Sequence, residues 1–342
     1  MRWRRCRGRG PWACASWVCA LFLARTVACG ADAAARPLTL QIHWWPQSQF
    51  AGYLVAKEKG YFRAAGLPEV KVVPWHSGDA PAVRLAAGKT DFCTGWLSQM
   101  VVARAEGHEV VNIAQIMQQS AVMLVTRRSS GIDKPADMAG RRVGLWGAGL
   151  DMLPRAFFKK LGIEPQIVIQ SYSISPFLHR AVNVASAMYY NEYHQLLEAG
   201  LRPQDLNTFL LADYGLQFPE DGLYCTAATR RARPEQCRAL VSASLKGWAY
   251  AFEHQAEALK IVMKHCDAVH MPTNRNHQRW MLRAMERFIK HRVGDDPKNW
   301  GTLAPDAYQH VGQVMLDQKL IKVIPRFDAF YQPALGGQEA GR

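Results

Sequence analysis

Short apolar runs alternate with longer amphipathic stretches along the chain from Pro37 onward. The run LTLQIHW at residues 38–44 predicts a strand, and AGYLVAKEKGYFRAAG at residues 51–66 predicts one helix that ends at Gly66. Further strand segments are predicted at 70–75, 91–97 and 110–117. This alternation of strands and helices favours βαβ units, and hence a largely parallel sheet covered by helices.

The same alternation continues beyond residue 120 and indicates a second α/β unit. An extended segment at 120–132 is followed by a predicted helix at 150–163 and by predicted strands at 167–173 and 185–193. Another extended stretch, LYCTAATRR, occupies residues 223–231. The rest of the chain is predicted to be largely helical, at 234–254, 255–265, 274–291 and 304–318.

The two units predict an α/β fold of two lobes with a central ligand cleft. We assign residues 37–122 plus 223–330 to the first lobe and residues 123–222 to the second, so that the chain crosses over and returns. Clefts between domains are favoured sites for small molecules. In open α/β sheets, ligands bind at the carboxyl ends of the strands.

Residues 1–30 predict an export signal rather than part of the fold. Five arginines lie within residues 2–9, and the apolar run that follows at 12–24 is too short to span a bilayer comfortably. The run Thr26-Val27-Ala28-Cys29 resembles a bacterial lipobox, with Thr26 where leucine is usual, and predicts lipidation of Cys29. Ordinary cleavage at about residues 31–34 is the alternative. Either way, we expect the protein in the periplasm or on the outer face of the cytoplasmic membrane.

The charge of the chain bears on its partners, and its cysteines bear on disulfide formation. The formal charge of +14 falls to +8 without residues 1–28, which hold six of the 42 basic residues and none of the 28 acidic ones. The remaining arginines form no stripe with interleaved aromatic residues, so nucleic acid is not expected. Cys225 and Cys237 could pair in an oxidising compartment, although free buried thiols are favoured.

Catalytic and metal-binding motifs are absent from the sequence. It contains no GxSxG, P-loop, HExxH or GxGxxG motif and no CxxC pair, so no enzyme, cofactor or metal is predicted. The run GLWGAG at 144–149 predicts a tight strand-to-helix turn. The histidines show no metal spacing, and five are expected at the surface: His254, His265, His270, His277 and His291.

Aromatic, amide and carboxylate side chains instead cluster at the predicted strand ends. Flat aromatic walls with a few such polar groups suit a planar heterocycle, and a carboxylate can pair with two N–H donors of an aminopyrimidine. Trp45 is expected to point into the core, because adjacent strand residues face opposite ways. The predicted ligand-binding residues are Trp44, Gln49, Phe50, Trp96, Gln99, Gln115, Trp146, Asp151, Tyr189, Tyr190, Asn191 and Glu192.

Three sequence blocks carry a family resemblance. They are W-x-P-x-x-x-F-A-G-Y-x-x-A-x-x-K-G-Y-F-x-x-x-G-L at 44–67, A-x-G-K-x-D-F at 86–92 and G-R-R-V-G at 140–144. The chain thereby resembles the thiamine-pyrimidine-precursor and nitrate/sulfonate-type ABC-transporter substrate-binding proteins, a family that also contains fungal thiamine pyrimidine synthase. The resemblance implies a type II periplasmic binding fold, a heterocyclic ligand and an ABC permease as partner. We expect a monomer.

The resemblance also separates a binder from a synthase. In the synthase, a lysine that holds pyridoxal phosphate and a histidine four places later follow the A-x-G-K-x-D block. This chain has Gly95 and Gln99 at those positions, and Cys225 stands alone where the synthase has a dense cysteine run. A binding protein is therefore favoured. The alternatives are a synthase-like enzyme and a binder of riboflavin or of a small sulfonate-like anion.

Overall fold

The computed structural model describes residues 36–75, 80–147 and 149–335. The predicted export signal at 1–30, including Cys29, lies outside these residues. Within the described ranges, none of the helices combines the length and the apolar character that crossing a bilayer requires.

The strands of the described residues form two five-stranded sheets. The first sheet has the order β2-β1-β3-β10-β4 and the second the order β7-β6-β8-β5-β9. In chain order the strands are β1 Leu38–Gln41, β2 Val70–Val73, β3 Phe92–Trp96, β4 Val110–Gln115, β5 Val122–Arg127, β6 Arg142–Leu145, β7 Gln166–Ile169, β8 Val184–Met188, β9 Leu206–Leu210 and β10 Asp221–Thr226.

Both sheets combine parallel and antiparallel pairs. In the first sheet β1 is parallel to β2 and β3, whereas β10 is antiparallel to β3 and β4. In the second sheet β6 is parallel to β7 and β8, whereas β5 is antiparallel to β8 and β9. The chain leaves the first sheet after β4 and returns to it with β10. The expected α/β fold of two lobes is confirmed, and we call the parts built on the two sheets lobe I and lobe II.

Helices connect and cover the strands. A long helical region follows β10, as the sequence predicts. The helices are α1 Ala51–Glu58, α2 Tyr61–Ala64, α3 Pro81–Ala86, α4 Leu97–Ala105, α5 Met152–Leu161, α6 Ser175–Leu178, α7 Glu192–Glu198, α8 Ala227–Ala232, α9 Pro234–Glu253, α10 Gln255–Ala268, α11 Arg275–Lys290, α12 Pro305–Asp317 and α13 Phe327–Phe330.

Several predicted elements end earlier than the sequence pattern suggests. The single helix expected over 51–66 is wrong, because Gly60 adopts a φ of +71° and separates α1 from α2. The extended stretch expected over 223–231 is also wrong in its second half. The Thr226 side chain accepts a hydrogen bond from the backbone N–H of Thr229 at 3.0 Å and so caps α8.

The strand expected over 185–193 ends at Met188, and this difference shapes the site. The backbone N–H of Met188 donates to Oε2 of Glu192 at 2.9 Å, and α7 begins at Glu192. Tyr189, Tyr190 and Asn191 therefore form a turn between β8 and α7 rather than the end of a strand.

Close contact between α1 and α9 fixes the segment that leads from β1 into lobe I. A Cβ atom on Gly247 would lie 2.0 Å from the backbone oxygen of Gly52, and one on Gly52 would lie 2.3 Å from Cγ of Trp248. Because neither position has room for a side chain, the two glycines allow the helices to approach closely. The glycine of the F-A-G-Y block thus packs α1 against α9 and holds residues 43–50 in place.

Candidate functional site

A cavity of about 760 Å³ lies between the lobes, where the parallel strands of both sheets end. Its aromatic lining comes from segments that follow six of these strands. Lobe I contributes the ends of β1, β2 and β3, and lobe II the ends of β6, β7 and β8. The aromatic side chains that line it are Trp44, Trp75 and Trp96 from lobe I, and Trp146, Tyr172 and Tyr190 from lobe II.

Trp44 connects the aromatic groups of the two lobes. It stacks on Trp75, with ring centroids 5.7 Å apart and an interplanar angle of 26°. Tyr172 of lobe II meets Trp44 edge-on, with ring centroids 4.7 Å apart. Tyr172 is half exposed, so this contact lies at the outer part of the cavity. Trp45 does not line the cavity and is only half buried.

Lobe I presents amide and imidazole groups that a buried carboxylate holds from behind. Nε2 of Gln49 donates to Oδ2 of Asp221 at 2.9 Å, and Nε2 of His43 lies 3.3 Å from Oδ1 of the same carboxylate. Nδ1 of His43 lies 2.7 Å from Oγ1 of Thr94. Nε2 of Gln47 donates to Oε1 of Gln49 at 2.6 Å. His43, Gln47 and Gln49 line the cavity, whereas Asp221 does not.

Lobe II instead brings a carboxylate to the cavity itself. Glu192 is buried, and its Oε1 accepts a hydrogen bond from Nδ2 of Asn191 at 3.0 Å. Burial raises the pKa of this carboxyl group, and its hydrogen bonds oppose the increase. Tyr190 is also buried, and the pKa of its hydroxyl is raised by burial and by the carboxylates of Asp221, Glu220 and Glu192.

Two indole donors complete the polar character of the walls. Nε1 of Trp96 and Nε1 of Trp146 are buried and have no hydrogen-bond partner among the described residues. A buried donor without a partner costs free energy, so such groups commonly mark a site that a ligand completes. Both side chains line the cavity.

Nine of the twelve predicted ligand-binding residues line the cavity. Sequence analysis could group them because each follows a strand that ends at this cleft. They are Trp44, Gln49, Trp96, Gln99, Trp146, Asp151, Tyr190, Asn191 and Glu192. Whether these residues contact a ligand remains a prediction.

The other three predicted residues lie away from the lining. Phe50 is fully buried in the core beside the ring of His43. Gln115 is fully buried, and its Nε2 donates to the backbone oxygens of Met117, Glu220 and Asp221, so it holds the crossings between the sheets. Tyr189 faces away from its neighbour Tyr190. Its ring stacks on that of Tyr193 at 5.7 Å and packs on Trp280 at 5.4 Å.

Several residues that line the cavity were not predicted from the sequence. Trp75 and Tyr172 follow β2 and β7, so the strand-end argument that selected Trp44 also applies to them. His43 and Gln47 stand in the same loop as Trp44 and Gln49. Asp221, which holds two of these groups from behind, had no sequence signal, because it begins the strand that returns from lobe II.

Histidine placement corrects one further expectation. His277, expected at the surface, is buried, and its Nδ1 lies 2.9 Å from Nδ1 of His194. The sequence does not reveal this contact because the two residues lie in different lobes. Cys225 and Cys237 are both buried free thiols, as the sequence analysis favours.

Gly95 and Gln99 occupy different environments. Gln99 lines the cavity. Gly95 lies within β3, and a Cβ atom there would be 2.2 Å from Cε of Met100. Since Met100 already fills this space, a longer side chain at position 95 requires Met100 to move.

The chain is similar in sequence to three proteins of known name. The formylaminopyrimidine-binding protein of Halalkalibacterium halodurans is 26% identical over 74% of this chain and 78% of its own. The riboflavin-binding protein RibY of Chloroflexus aurantiacus is 25% identical over 66% of each chain. A 4-amino-5-hydroxymethyl-2-methylpyrimidine phosphate synthase of Schizosaccharomyces pombe is 22% identical over only 37% of each chain.

A solved structure and a family match complete the comparison. The periplasmic aliphatic sulphonate binding protein SsuA of Escherichia coli aligns with a TM-score of 0.68 at 13% identity, covering 90% of this chain and 96% of that protein. This similarity establishes the periplasmic binding protein fold. The family described as NMT1/THI5 like matches residues 47–258, more than half of the sequence. The chain belongs to the NMT1/THI5-like family.

Proposed function

We propose that this protein is the substrate-binding component of an ABC importer and captures a small planar heterocycle. The observation that carries the proposal is the cavity between the lobes, which has aromatic walls and the carboxylate of Glu192 on one side. A precursor of the thiamine pyrimidine is the first candidate, because the binding protein from Halalkalibacterium halodurans is named for formylaminopyrimidine.

The two lobes offer complementary chemistry to such a ring. Trp44 and Trp96 form apolar walls on lobe I, while Gln49 and His43 supply an amide and an imidazole beside them. Glu192 on lobe II suits a ring amino group, because charge-assisted hydrogen bonds to carboxylates are stronger than neutral ones. One ligand could therefore bridge both lobes.

Closure of the lobes follows from this bridging. The part of the chain built on the first sheet would move as one body and the part built on the second sheet as the other, as in other hinged binding proteins. The closed form would present the surface that the permease recognises. We expect the binding protein to act as a monomer, without nucleic acid.

Export would place the protein where an importer needs it. Residues 1–30 carry the basic and apolar pattern of a signal, and Cys29 would be the point of lipid attachment. A lipid anchor or ordinary cleavage both lead to the outer side of the cytoplasmic membrane. Incorporation of radiolabelled palmitate in the wild type, but not in Cys29→Ser, would distinguish the lipidated form.

The residues at the two positions where the synthase has its lysine and histidine also favour a binding role. Gly95 has no amine with which to form a Schiff base, and Met100 occupies the adjacent space. Gln99 has no imidazole. The curated synthase from Schizosaccharomyces pombe matches little more than a third of this chain. Covalently bound pyridoxal phosphate in the purified protein would contradict this proposal.

Isothermal titration calorimetry tests the ligand class. The wild-type protein, unfolded and refolded to remove any retained ligand, is titrated with formylaminopyrimidine, hydroxymethylpyrimidine, thiamine and riboflavin. We expect saturable one-to-one binding of at least one of them, with a pyrimidine bound most tightly. The absence of binding to all four would exclude the proposed class.

Riboflavin is the second candidate, and the size of the cavity favours it. A volume of about 760 Å³ lies in the upper part of the range of roughly 300–1,000 Å³ that drug-sized ligands occupy. A sulfonate-like anion is less well supported. Arg155 lines the cavity, but its Nε donates to Oδ2 of Asp151 at 2.5 Å, so its charge is already paired.

A further inference from the structure

A second group of polar side chains joins the lobes outside the polar network of the cavity. His194 and Glu198 lie one turn apart on the same face of α7 in lobe II. His277 lies in the first turn of α11, which packs against α10 and the 48–50 segment of lobe I. All three side chains offer a ligand atom within 4.8 Å of one another. No argument for the cavity uses any of them.

The distances within this group match the spacing of ligands around one small ion. Nδ1 of His194 lies 2.9 Å from Nδ1 of His277. Oε2 of Glu198 lies 3.9 Å from the former and 3.7 Å from the latter. With metal–ligand bonds of about 2.0–2.1 Å, two ligands in a tetrahedral zinc site lie about 3.4 Å apart. The observed distances lie on both sides of that value, so small rotations of the side chains are sufficient.

Hydrogen bonds fix the orientation and the tautomer of the His277 ring. Nδ2 of Asn191 donates to Glu192, so Oδ1 is the amide atom that faces Nε2 of His277, at 3.0 Å. Nε2 of His277 therefore carries the proton, and its Nδ1 presents a lone pair towards His194. Metal-binding histidines characteristically donate their second ring N–H to an oxygen in this way.

The other two side chains are held as well. The ring of His194 stacks on Trp280, with centroids 4.7 Å apart and an interplanar angle of 26°. Nδ2 of Asn274 donates to Oε1 of Glu198 at 3.0 Å, which leaves Oε2 facing the imidazoles.

We propose that His194, Glu198 and His277 bind one divalent transition-metal ion, for which zinc is the best fit. Two imidazoles and a carboxylate form a common zinc donor set, in which water takes the fourth position. The Glu198 side chain is 33% exposed, which leaves a path for the ion and for that water. On binding, the proton that Nδ1 of His194 donates to Nδ1 of His277 moves to Nε2 of His194, so that both Nδ1 atoms are free for the metal. The ion would tie α7 of lobe II to α11 of lobe I.

Zinc titration of the full, tag-free chain after treatment with EDTA tests the site. Competition with a chromophoric chelator gives affinity, and elemental analysis gives stoichiometry. We expect one zinc ion per chain and a rise in melting temperature, since a ligand that binds only the folded state stabilises it. Both effects should disappear in His277→Gln, and Glu198→Gln should weaken binding about tenfold or more. His254→Gln, at an exposed histidine, is the matched control and should bind zinc as the wild type does.

Glu198→Gln keeps the test decisive if His277→Gln fails to fold. The glutamine carbonyl can still accept the Asn274 hydrogen bond but is a poorer metal ligand. The visible absorption of bound Co²⁺ should therefore change in Glu198→Gln while the fold measured without metal is retained. The proposal is overturned if the wild type binds no zinc, or if Glu198→Gln binds zinc and Co²⁺ as the wild type does.

Discussion

Two buried carboxylates serve the two walls of the cavity in different ways. Glu192 of lobe II lines the cavity, whereas Asp221 of lobe I lies behind Gln49 and His43. Lobe II thus presents a carboxyl group to a ligand, and lobe I presents an amide and an imidazole that a buried carboxyl group orients. Neither wall alone therefore suits an aminopyrimidine, because its amino groups need hydrogen-bond acceptors and its ring nitrogens need hydrogen-bond donors. Substitutions at these positions test whether the two walls differ in this way.

The largest loss of affinity is expected for Glu192→Gln. The glutamine keeps an acceptor for Asn191 but removes the charge that faces a ring amino group. We expect calorimetry to show about 100-fold weaker binding of the preferred pyrimidine, in line with the cost of truncating buried charged partners. Asp151→Asn is the control, because that carboxylate also lines the cavity but is paired with Arg155. Equal losses in both variants would remove the special role of Glu192.

Trp44→Ala should have the next largest effect. The indole stacks on Trp75 and lines the cavity beside it, and stacking of a heterocyclic base on an aromatic side chain contributes about 1–3 kcal/mol. We therefore expect binding to weaken about 10- to 30-fold, while Trp44→Phe retains most of the affinity. Trp45→Ala, next to it but off the lining, should bind nearly as tightly as the wild type. A larger effect at Trp45 would place the ligand elsewhere.

Asp221→Asn should weaken binding less, by about tenfold, because its effect passes through Gln49 and His43. A double variant separates this indirect role from direct contact. If Asp221 acts by orienting Gln49, Gln49→Ala combined with Asp221→Asn should bind much as Gln49→Ala does alone. Fully additive losses, measured by calorimetry on all three variants, would show that Asp221 does not act through Gln49.

Glu220, the neighbour of Asp221, should affect stability through pH. Its Oε1 accepts hydrogen bonds from Ser120 and from the backbone N–H of Ala121, while Oε2 is buried without a partner among the described residues. Burial raises the pKa of Glu220 from 4.5 to about 8, and the charge of Asp221 adds to the increase. The folded state therefore holds this proton more tightly than the unfolded state does. Its contribution is complete below about pH 4.5 and is lost as the pH rises to about 8.

Glu220→Gln tests this pH dependence. Glutamine can accept the same hydrogen bonds and does not titrate. The unfolding free energy of the wild type should fall between pH 5 and pH 8, and in Glu220→Gln this fall should be smaller by about 1 kcal/mol per pH unit. Chemical denaturation at several pH values measures the difference from the wild type. Glu235→Gln, at an exposed side chain, is the control. The same slope in Glu220→Gln and the wild type would contradict the assignment.

Much of the fold could be predicted because it depends on local pattern. Alternating apolar and amphipathic segments identified the strands and helices, and the strand ends identified Trp44, Trp96 and Trp146. Gly60 and Thr226 ended two elements early, through a positive φ and a side-chain cap that the apolar pattern does not reveal. The split of the predicted helix at Gly60 leaves the site unchanged.

Contacts between distant segments could not be predicted in the same way. Gln115 has the composition of a site residue, but its amide is used by the backbone of the two crossings. Tyr189 and Tyr190 are adjacent, and only the turn before α7 decides which of them meets the cavity. His194 and Glu198 show a helical spacing in the sequence, but their partner His277 lies in another lobe. Such sites depend on how the lobes pack.

Native mass spectrometry of a competition mixture tests most directly whether this protein binds a small planar heterocycle. The refolded wild-type protein is incubated with equal amounts of formylaminopyrimidine, hydroxymethylpyrimidine, thiamine, riboflavin and an alkanesulfonate, and the retained mass is measured. We expect one noncovalently bound heterocycle per chain, with a pyrimidine dominant. Retention of the sulfonate alone, or of none of the five compounds, would contradict it.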